Sequence, residues 1–383
     1  MAKISDVFDL QMGKTPARAN EEYWIDGDNK WVSIGDLSGY EKYVEDTKEK
    51  ITNLAVKESG IKAVPSDTVI MSFKLSLGKV AITKAPVYTN EAIMAFLPKH
   101  SQNLLPDYFY HYFSSIDWSK GTNRAVMGAT LNKATLGEME IQIPSFVKQV
   151  EIADRLNKID VLISLRKQQL AKLDELIKAR FVEMFGNSNY PSEPLNHNVI
   201  EMFIGPFGSS LKNEVFVNAV DSFCMVYEQK HAIQKTMDVP TRYVSKSKYE
   251  ELKRFTILGG DIIVSCRGTI GEIFVVPADA PMGIMHPSIM KIRLNTEKYN
   301  QKFFVFALEQ YMDEHNAEAN GSGVKMAVSA TVLGQSDFVI PPMEVQNQFA
   351  AFVEQTDNSK LAIQQSLDKL ELLKKAMMQK YFG

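Results

Sequence analysis

Residues Ile143 to Gly186 return 197 positions later as Ile340 to Gly383, aligned over 44 positions without a gap and with 14 identities. Repetition on this scale has to be read before any local motif, because it sets the architecture. Each copy opens with Ile-Pro, carries a glutamine (Gln149 or Gln346) and closes with Phe-Gly. Each also follows a globular stretch of similar length. The layout is globe, helix, globe, helix, with expected segments 1–142, 143–186, 187–339 and 340–383.

At 383 residues the chain exceeds one ordinary core, so two domains are expected. Its 45% hydrophobic and 23% charged residues describe a folded globular protein. No apolar run is long enough to span a bilayer, and the opening MAKISDVFDL has no secretory pattern. The two cysteines, Cys224 and Cys266, have no paired spacing, which fits a reducing cytoplasm; a cytoplasmic location is expected. Six scattered histidines without a Cys-x-x-Cys offer no zinc site. A net charge of −3 gives no global signature of nucleic-acid binding, so such a function must rest on local charge.

Between Gln149 and Phe185 there is neither proline nor glycine, and strong helix formers dominate. Leu156, Ile159, Ile163, Leu170, Leu173, Ile177 and Met184 make a heptad-like stripe, interrupted by Arg166 and Arg180. The second copy, Val345 to Phe382, carries Ile363, Leu367, Leu370, Leu373 and Met377. About 37 residues at 1.5 Å each make a rod of roughly 55 Å. So narrow a stripe cannot bury itself in a small domain, and its expected partner is its own repeat. Two equivalent units related by a pseudo-twofold would place these helices antiparallel, with the globes at opposite ends. The alternative is a helical hairpin that staples two domains; the matched lengths favour a spacer. The expected class is therefore α+β: two α/β domains separated by two long antiparallel coiled-coil helices, with internal pseudo-twofold symmetry.

The globular halves look less alike. One segment does match: Val64 to Lys74 leading to Gly78-Lys-Val-Ala-Ile, and Leu258 to Arg267 leading to Gly271-Glu-Ile-Phe-Val. Each reads as a strand, a loop bearing Ser-x-Lys/Arg and a glycine, then a second strand. Aromatic-rich helices follow at Asp107–Phe113 and Lys302–Leu308, and after them glycine-bearing basic loops. No phosphate-binding Gly-x-x-x-x-Gly-Lys, His-Glu-x-x-His or Gly-x-Ser-x-Gly is present, and Ile340-Pro-Pro-Met343 is not the tetrad of an amino-methyltransferase. Catalysis is not expected. Basic side chains on Gly-bearing loops suit phosphate contact and base reading instead. The candidates are Lys14, Arg18, Lys74, Lys79, Arg124 and Lys133, then Lys212, Lys230, His231, Arg242, Arg254, Arg267 and Lys325. Trp24 and Trp31 are expected as anchors rather than stacking platforms.

Ile4-Ser-Asp-Val-Phe with Gly13-Lys-Thr-Pro16, Trp31-Val-Ser-Ile-Gly-Asp36, the Ser-x-Lys/Arg loops and the twice-repeated Ile-Pro, Gln, long helix, Phe-Gly order form a set. The chain thereby resembles the specificity (S) subunit of type I DNA restriction-modification systems over its whole length. The second half departs at its start, lacking Gly-Lys-Thr-Pro and Trp-Val-Ser. The resemblance implies that each globe is a target-recognition domain reading one half of a bipartite double-stranded DNA target. It implies helices that fix the spacer and dock two modification subunits, joined by restriction/translocase subunits. S-adenosylmethionine and ATP would sit on those partners, and this chain would hold no cofactor. Two rivals are a non-enzymatic coiled-coil adaptor joining two protein-binding domains, and a free-standing methyltransferase fragment or nuclease.

Overall fold

The computed structural model describes residues 1–74, 76–99, 103–118, 131–186, 189–267, 269–322 and 329–383. Two compact units emerge, Met1–Gln169 with Ile363–Gly383, and Leu170–Ala362.

In the first unit a four-stranded antiparallel sheet runs in the order Phe8–Met12, Ile93–Pro98, Val69–Ser72, Val80–Ile82. Side chains alternate across a strand, and here the alternation feeds two cores. Val69, Met71, Met94 and Phe96 face Tyr108, Phe109 and Phe113, while Ile70, Ile93 and Ala95 face Val32 and Leu37. The sheet is thus covered on both sides. On one side lies the helix Pro106–Ser115, in which every residue from Tyr108 to Phe113 is buried. Pro106 opens that helix where its missing N–H costs nothing. On the other side is a small sheet, Glu49–Ile51, Asn29–Val32, Tyr88–Thr89, whose last pair is parallel.

The second unit has the same plan. Its four-stranded sheet runs Val199–Ile204, Ile289–Leu294, Ile262–Ser265, Ile273–Val275. Ile262, Val264, Met290 and Ile292 face Phe303, Phe304 and Leu308; Ile263 and Ile289 face Met225, Tyr227 and Met285. The smaller sheet has five strands here and keeps the parallel pair, Cys224–Tyr227 beside Gly283–Met285. The expected aromatic helix extends further than its counterpart, over Gln301–Ser322.

Both long helices span 40 residues, Phe146–Phe185 and Met343–Phe382, and both start slightly before the positions read from sequence. Leu156, Ile159, Ile163, Ile177 and Leu367 are buried, and Leu170, Leu173, Ile363, Leu370 and Met377 half-buried. Leu373 is a correction: it is 49% exposed. The inward positions are 363, 367, 370, 374 and 377, and Lys374 fills the one Leu373 was expected to take, its amine 2.6 Å from Asp160. In the first unit Arg155 also donates to the Tyr381 hydroxyl at 3.2 Å. In the second, Lys360 lies 2.6 Å from Asp174, and Phe349 packs on Phe181 and Phe185 with ring centroids 5.5 and 5.6 Å apart.

The repeated glutamine has one job in both units. Gln149, 1% exposed, accepts from the Leu105 N–H at 2.9 Å and donates to the carbonyls of Pro144 (3.0 Å) and Asn103 (3.3 Å). Gln346, fully buried, accepts from Asn300 N–H at 2.8 Å and donates to Pro341 (2.8 Å) and Lys298 (2.9 Å). Each clamps the start of an aromatic helix to the Ile-Pro turn that opens a long one, satisfying one backbone N–H and two backbone carbonyls at the junction.

Candidate nucleic-acid interface

Strand register gathers the basic loops of the first unit at one end of the four-stranded sheet. Met12 pairs with Met94 and Ser72 with Ile93. The N–H of Gly13 donates to Ile93 (3.1 Å) and that of Phe73 to Ala92 (3.0 Å). The turn bearing Lys14 and the loop bearing Lys74 and Lys79 therefore leave the same end of the sheet. Glycine is required at 13: a Cβ there would stand 2.2 Å from the carbonyl oxygens of Thr89 and Asn90. Leu131 N–H donates to Phe73 O at 3.2 Å, and Trp118 packs on Gly78, so the residues flanking 119–130 are anchored at this loop as well.

The second unit repeats the construction. Ser265 pairs with Ile289 and Ile204 with Met290; Gly205 N–H donates to Ile289 O (3.0 Å) and Cys266 N–H to Ser288 O (2.8 Å). A Cβ on Gly205 would meet His286 O at 2.3 Å. Gly205 is thus the counterpart of Gly13, a residue the sequence comparison missed because Pro206-Phe207 replaces Lys-Thr beside it. The Trp-Val-Ser-x-x-Asp segment also has a counterpart. Asp36 accepts from Ser33 N–H at 3.0 Å, and His231 Nδ1 accepts from Glu228 N–H at 3.0 Å, each side chain reaching back to the backbone at the start of a short helix. His231 is fully buried, which corrects its reading as a surface contact.

The candidate cations fall into three groups. Lys79, Lys133, Lys212 and Arg267 are exposed and make no ion pair with any described residue; Lys74, half-buried, lies 5.2 Å from the Phe73 ring. Other candidates are already engaged. Lys14 donates to the Ser59 carbonyl, and Arg18 forks onto Glu49 while stacking 3.9 Å over Trp24 and 4.8 Å over Trp31. Lys230 and Arg242 share the buried carboxylate of Glu228, and Arg242 lies 4.1 Å over Phe216. Arg254 lies 5.5 Å from the Phe203 ring. Arg124 and Lys325 lie outside the described residues. Trp31 is buried and Trp24 half-buried, as anchors.

The charges in the second unit feel one another. Burial pushes the His286 imidazole below the ordinary histidine range; Glu228 opposes this, while Arg242, Arg267 and Lys230 add to it. These three cations therefore lie within electrostatic reach of His286, the residue beside Pro287 and Ser288 at the end of the sheet. Burial raises the Glu228 carboxyl, but its bonds to Arg242 and Lys230 outweigh that and hold it low. No group of three or more potential metal ligands occurs among the described residues. No described helix is long and apolar enough to cross a membrane.

The sequence pattern of the type I restriction modification DNA specificity domain matches residues 1–175 and 212–372. The chain belongs to that family. Among named relatives it is similar to the MjaIX specificity subunit of Methanocaldococcus jannaschii, 32% identical over 199 residues, covering 51% of this chain and 44% of that one. The EcoR124I/EcoR124II specificity subunit of Escherichia coli is 28% identical over 178 residues, 44% of this chain and 43% of the relative. The chain thus spans less than half the length of these relatives. Two solved structures share the fold at 13% identity across the whole chain. One is the type I restriction-modification S subunit from M. genitalium (TM-score 0.53, 95% of that chain covered), the other a chain from a study of type I assembly and conformational transition (TM-score 0.66, 96% covered).

Proposed function

We propose that this protein is the DNA sequence-recognition subunit of a type I restriction-modification complex, each globular domain reading one half of a bipartite double-stranded target. The observation that carries this reading is the duplicated sheet end, from which a glycine turn and a Ser-x-Lys/Arg hairpin both leave in each unit. An adaptor joining two protein-binding domains has no need of equivalent basic loops at equivalent places. Arg267 has the fork geometry to read guanine, and Lys74, Lys79 and Lys212 suit phosphates or base edges. The mild net acidity of −3 is compatible with this, because partner subunits can supply the remaining phosphate contacts.

The segments 143–186 and 340–383 are assigned as spacer helices forming an antiparallel coiled-coil pair related by a pseudo-twofold. Within the first unit Arg155 and Asp160 meet Tyr381 and Lys374; within the second Asp174 and Phe185 meet Lys360 and Phe349. Advancing along one helix while retreating along the other supports that direction. Two modification subunits would dock on this pair and bring S-adenosylmethionine, flipping and methylating one adenine in each half-site. Restriction/translocase subunits would bring ATP. The chain itself is non-catalytic.

Incubating the purified chain with labelled S-adenosylmethionine and target DNA, with and without modification subunits, tests the assignment. Methyl transfer is expected only in the assembled complex, and DNA binding by the chain alone should be weak at physiological salt. Transfer by the isolated chain would return an enzyme to consideration.

A further inference from the structure

The two basic hairpins share a device that neither strand pairing nor charge requires. Ser72 and Ser265 are fully buried. The Ser72 hydroxyl donates to the Ser76 carbonyl and accepts from Lys79 N–H at 3.0 Å. The Ser265 hydroxyl donates to the Thr269 carbonyl at 2.6 Å and accepts from Glu272 N–H at 3.0 Å. The carbonyls of the same two serines accept from Gly78 and Gly271, both at 2.9 Å, and those glycines turn through positive φ, 77° and 88°. That backbone bond already closes each hairpin. The hydroxyl does something further, tying two points of the arch to the last residue of the strand. Lys74 and Arg267 stand on that arch, two residues beyond the serine.

We infer that Ser72 and Ser265 are positioning residues for DNA recognition, each fixing the arch from which Lys74 or Arg267 reaches its half-site. The inference rests on the recognition reading above. A cation on a long side chain loses selectivity when its base can shift, because a loose arch lets it meet phosphate and wrong base edges equally well. Alanine at either serine takes the partner away from one part-buried carbonyl and one part-buried N–H of the arch and leaves the strand ladder whole. The loop would loosen while the domain remains folded.

The test uses the chain assembled with its modification subunits and measures methylation of the target against targets changed at single base pairs in each half-site. Ser72→Ala is expected to lower discrimination about tenfold in one half-site and leave the other unchanged, with Ser265→Ala doing the converse. Ser72→Thr, which keeps the hydroxyl, should restore most of the loss. The double variant Ser72→Ala/Lys74→Ala should discriminate no worse than Lys74→Ala alone, because the serine acts through the lysine. The intact second half-site serves as the folding control, and Ser72→Cys replaces the alanine variant if that fails to assemble. Additive effects in the double variant, or a slower rate on all targets with discrimination intact, would overturn the inference. A Lys74→Ala complex unchanged at both half-sites would instead overturn the recognition reading of Lys74.

Discussion

Replacing Gln149 by alanine should uncouple the first aromatic helix from the first long helix. The side chain is 1% exposed and makes three hydrogen bonds, to Leu105 N–H and to the carbonyls of Asn103 and Pro144. Alanine leaves those part-buried backbone groups without their partner. At about 1–3 kcal/mol for each stranded group, offset in part by relaxation, the loss should come to about 2–5 kcal/mol. With a urea m-value of about 2–3 kcal/mol/M, the midpoint should fall by about 1–2 M. The assay can be confined to one unit, because all three tryptophans, Trp24, Trp31 and Trp118, lie in the first. Tryptophan fluorescence should therefore register Gln149→Ala strongly and Gln346→Ala weakly, while far-UV circular dichroism registers both. Gln149→Met restores volume without hydrogen bonds and should be nearly as unstable as the alanine variant. A midpoint shift below about 0.2 M for Gln149→Ala, or full stability of the methionine variant, would refute the clamp.

Gly13→Ala and Gly205→Ala should each prevent their own unit from closing, since the added Cβ would sit 2.2 and 2.3 Å from carbonyl oxygens that cannot retreat; soluble, cooperatively unfolding variants would contradict this. His111 should make the first unit sensitive to mild acid. Burial lowers its proton affinity, countered by Asn157 and Asp160 and reinforced by Lys42 and Lys374. Below its ordinary value of 6.5 the unfolded chain takes up a proton that the folded unit refuses, so stability is full above 6.5 and falls as pH drops toward the folded value. The fluorescence-detected urea midpoint should hold above pH 6.5 and decline as the pH falls below it, and His111→Gln should flatten the decline; a midpoint that rises on acidification would reverse the sign and sink the argument.

The long helices were legible because an unbroken run of helix formers with a periodic stripe permits little else. Their inward face was misjudged by one place at Leu373, since Lys374 is excluded by any purely apolar pattern and is admitted only by the carboxylate of Asp160. The hairpins at Ser72 and Ser265 were visible because buried strand ends, a glycine and a serine recur together. The opening of the second half was not. Its backbone needs only a glycine where carbonyls crowd and an accepting side chain at the start of a short helix, and Gly205 and His231 meet those needs without resembling the first half's motifs. Charge was the least legible feature. Lys14, Arg18 and Arg242 look alike to Lys79 and Arg267 in sequence, yet they are held by Ser59, Glu49 and Glu228. Partners that distant along the chain become visible only once the fold brings them together.

Single-molecule sequencing of methylated bases in genomic DNA from cells that express the chain with its modification subunits tests the central claim most directly. The account predicts a bipartite modified motif, two specified half-sites flanking a middle in which every base is tolerated. Inserting seven residues at matching places in both long helices should lengthen that middle and leave both half-sites unchanged. A single continuous motif, or an insertion that alters the half-sites and keeps the spacing, would contradict it.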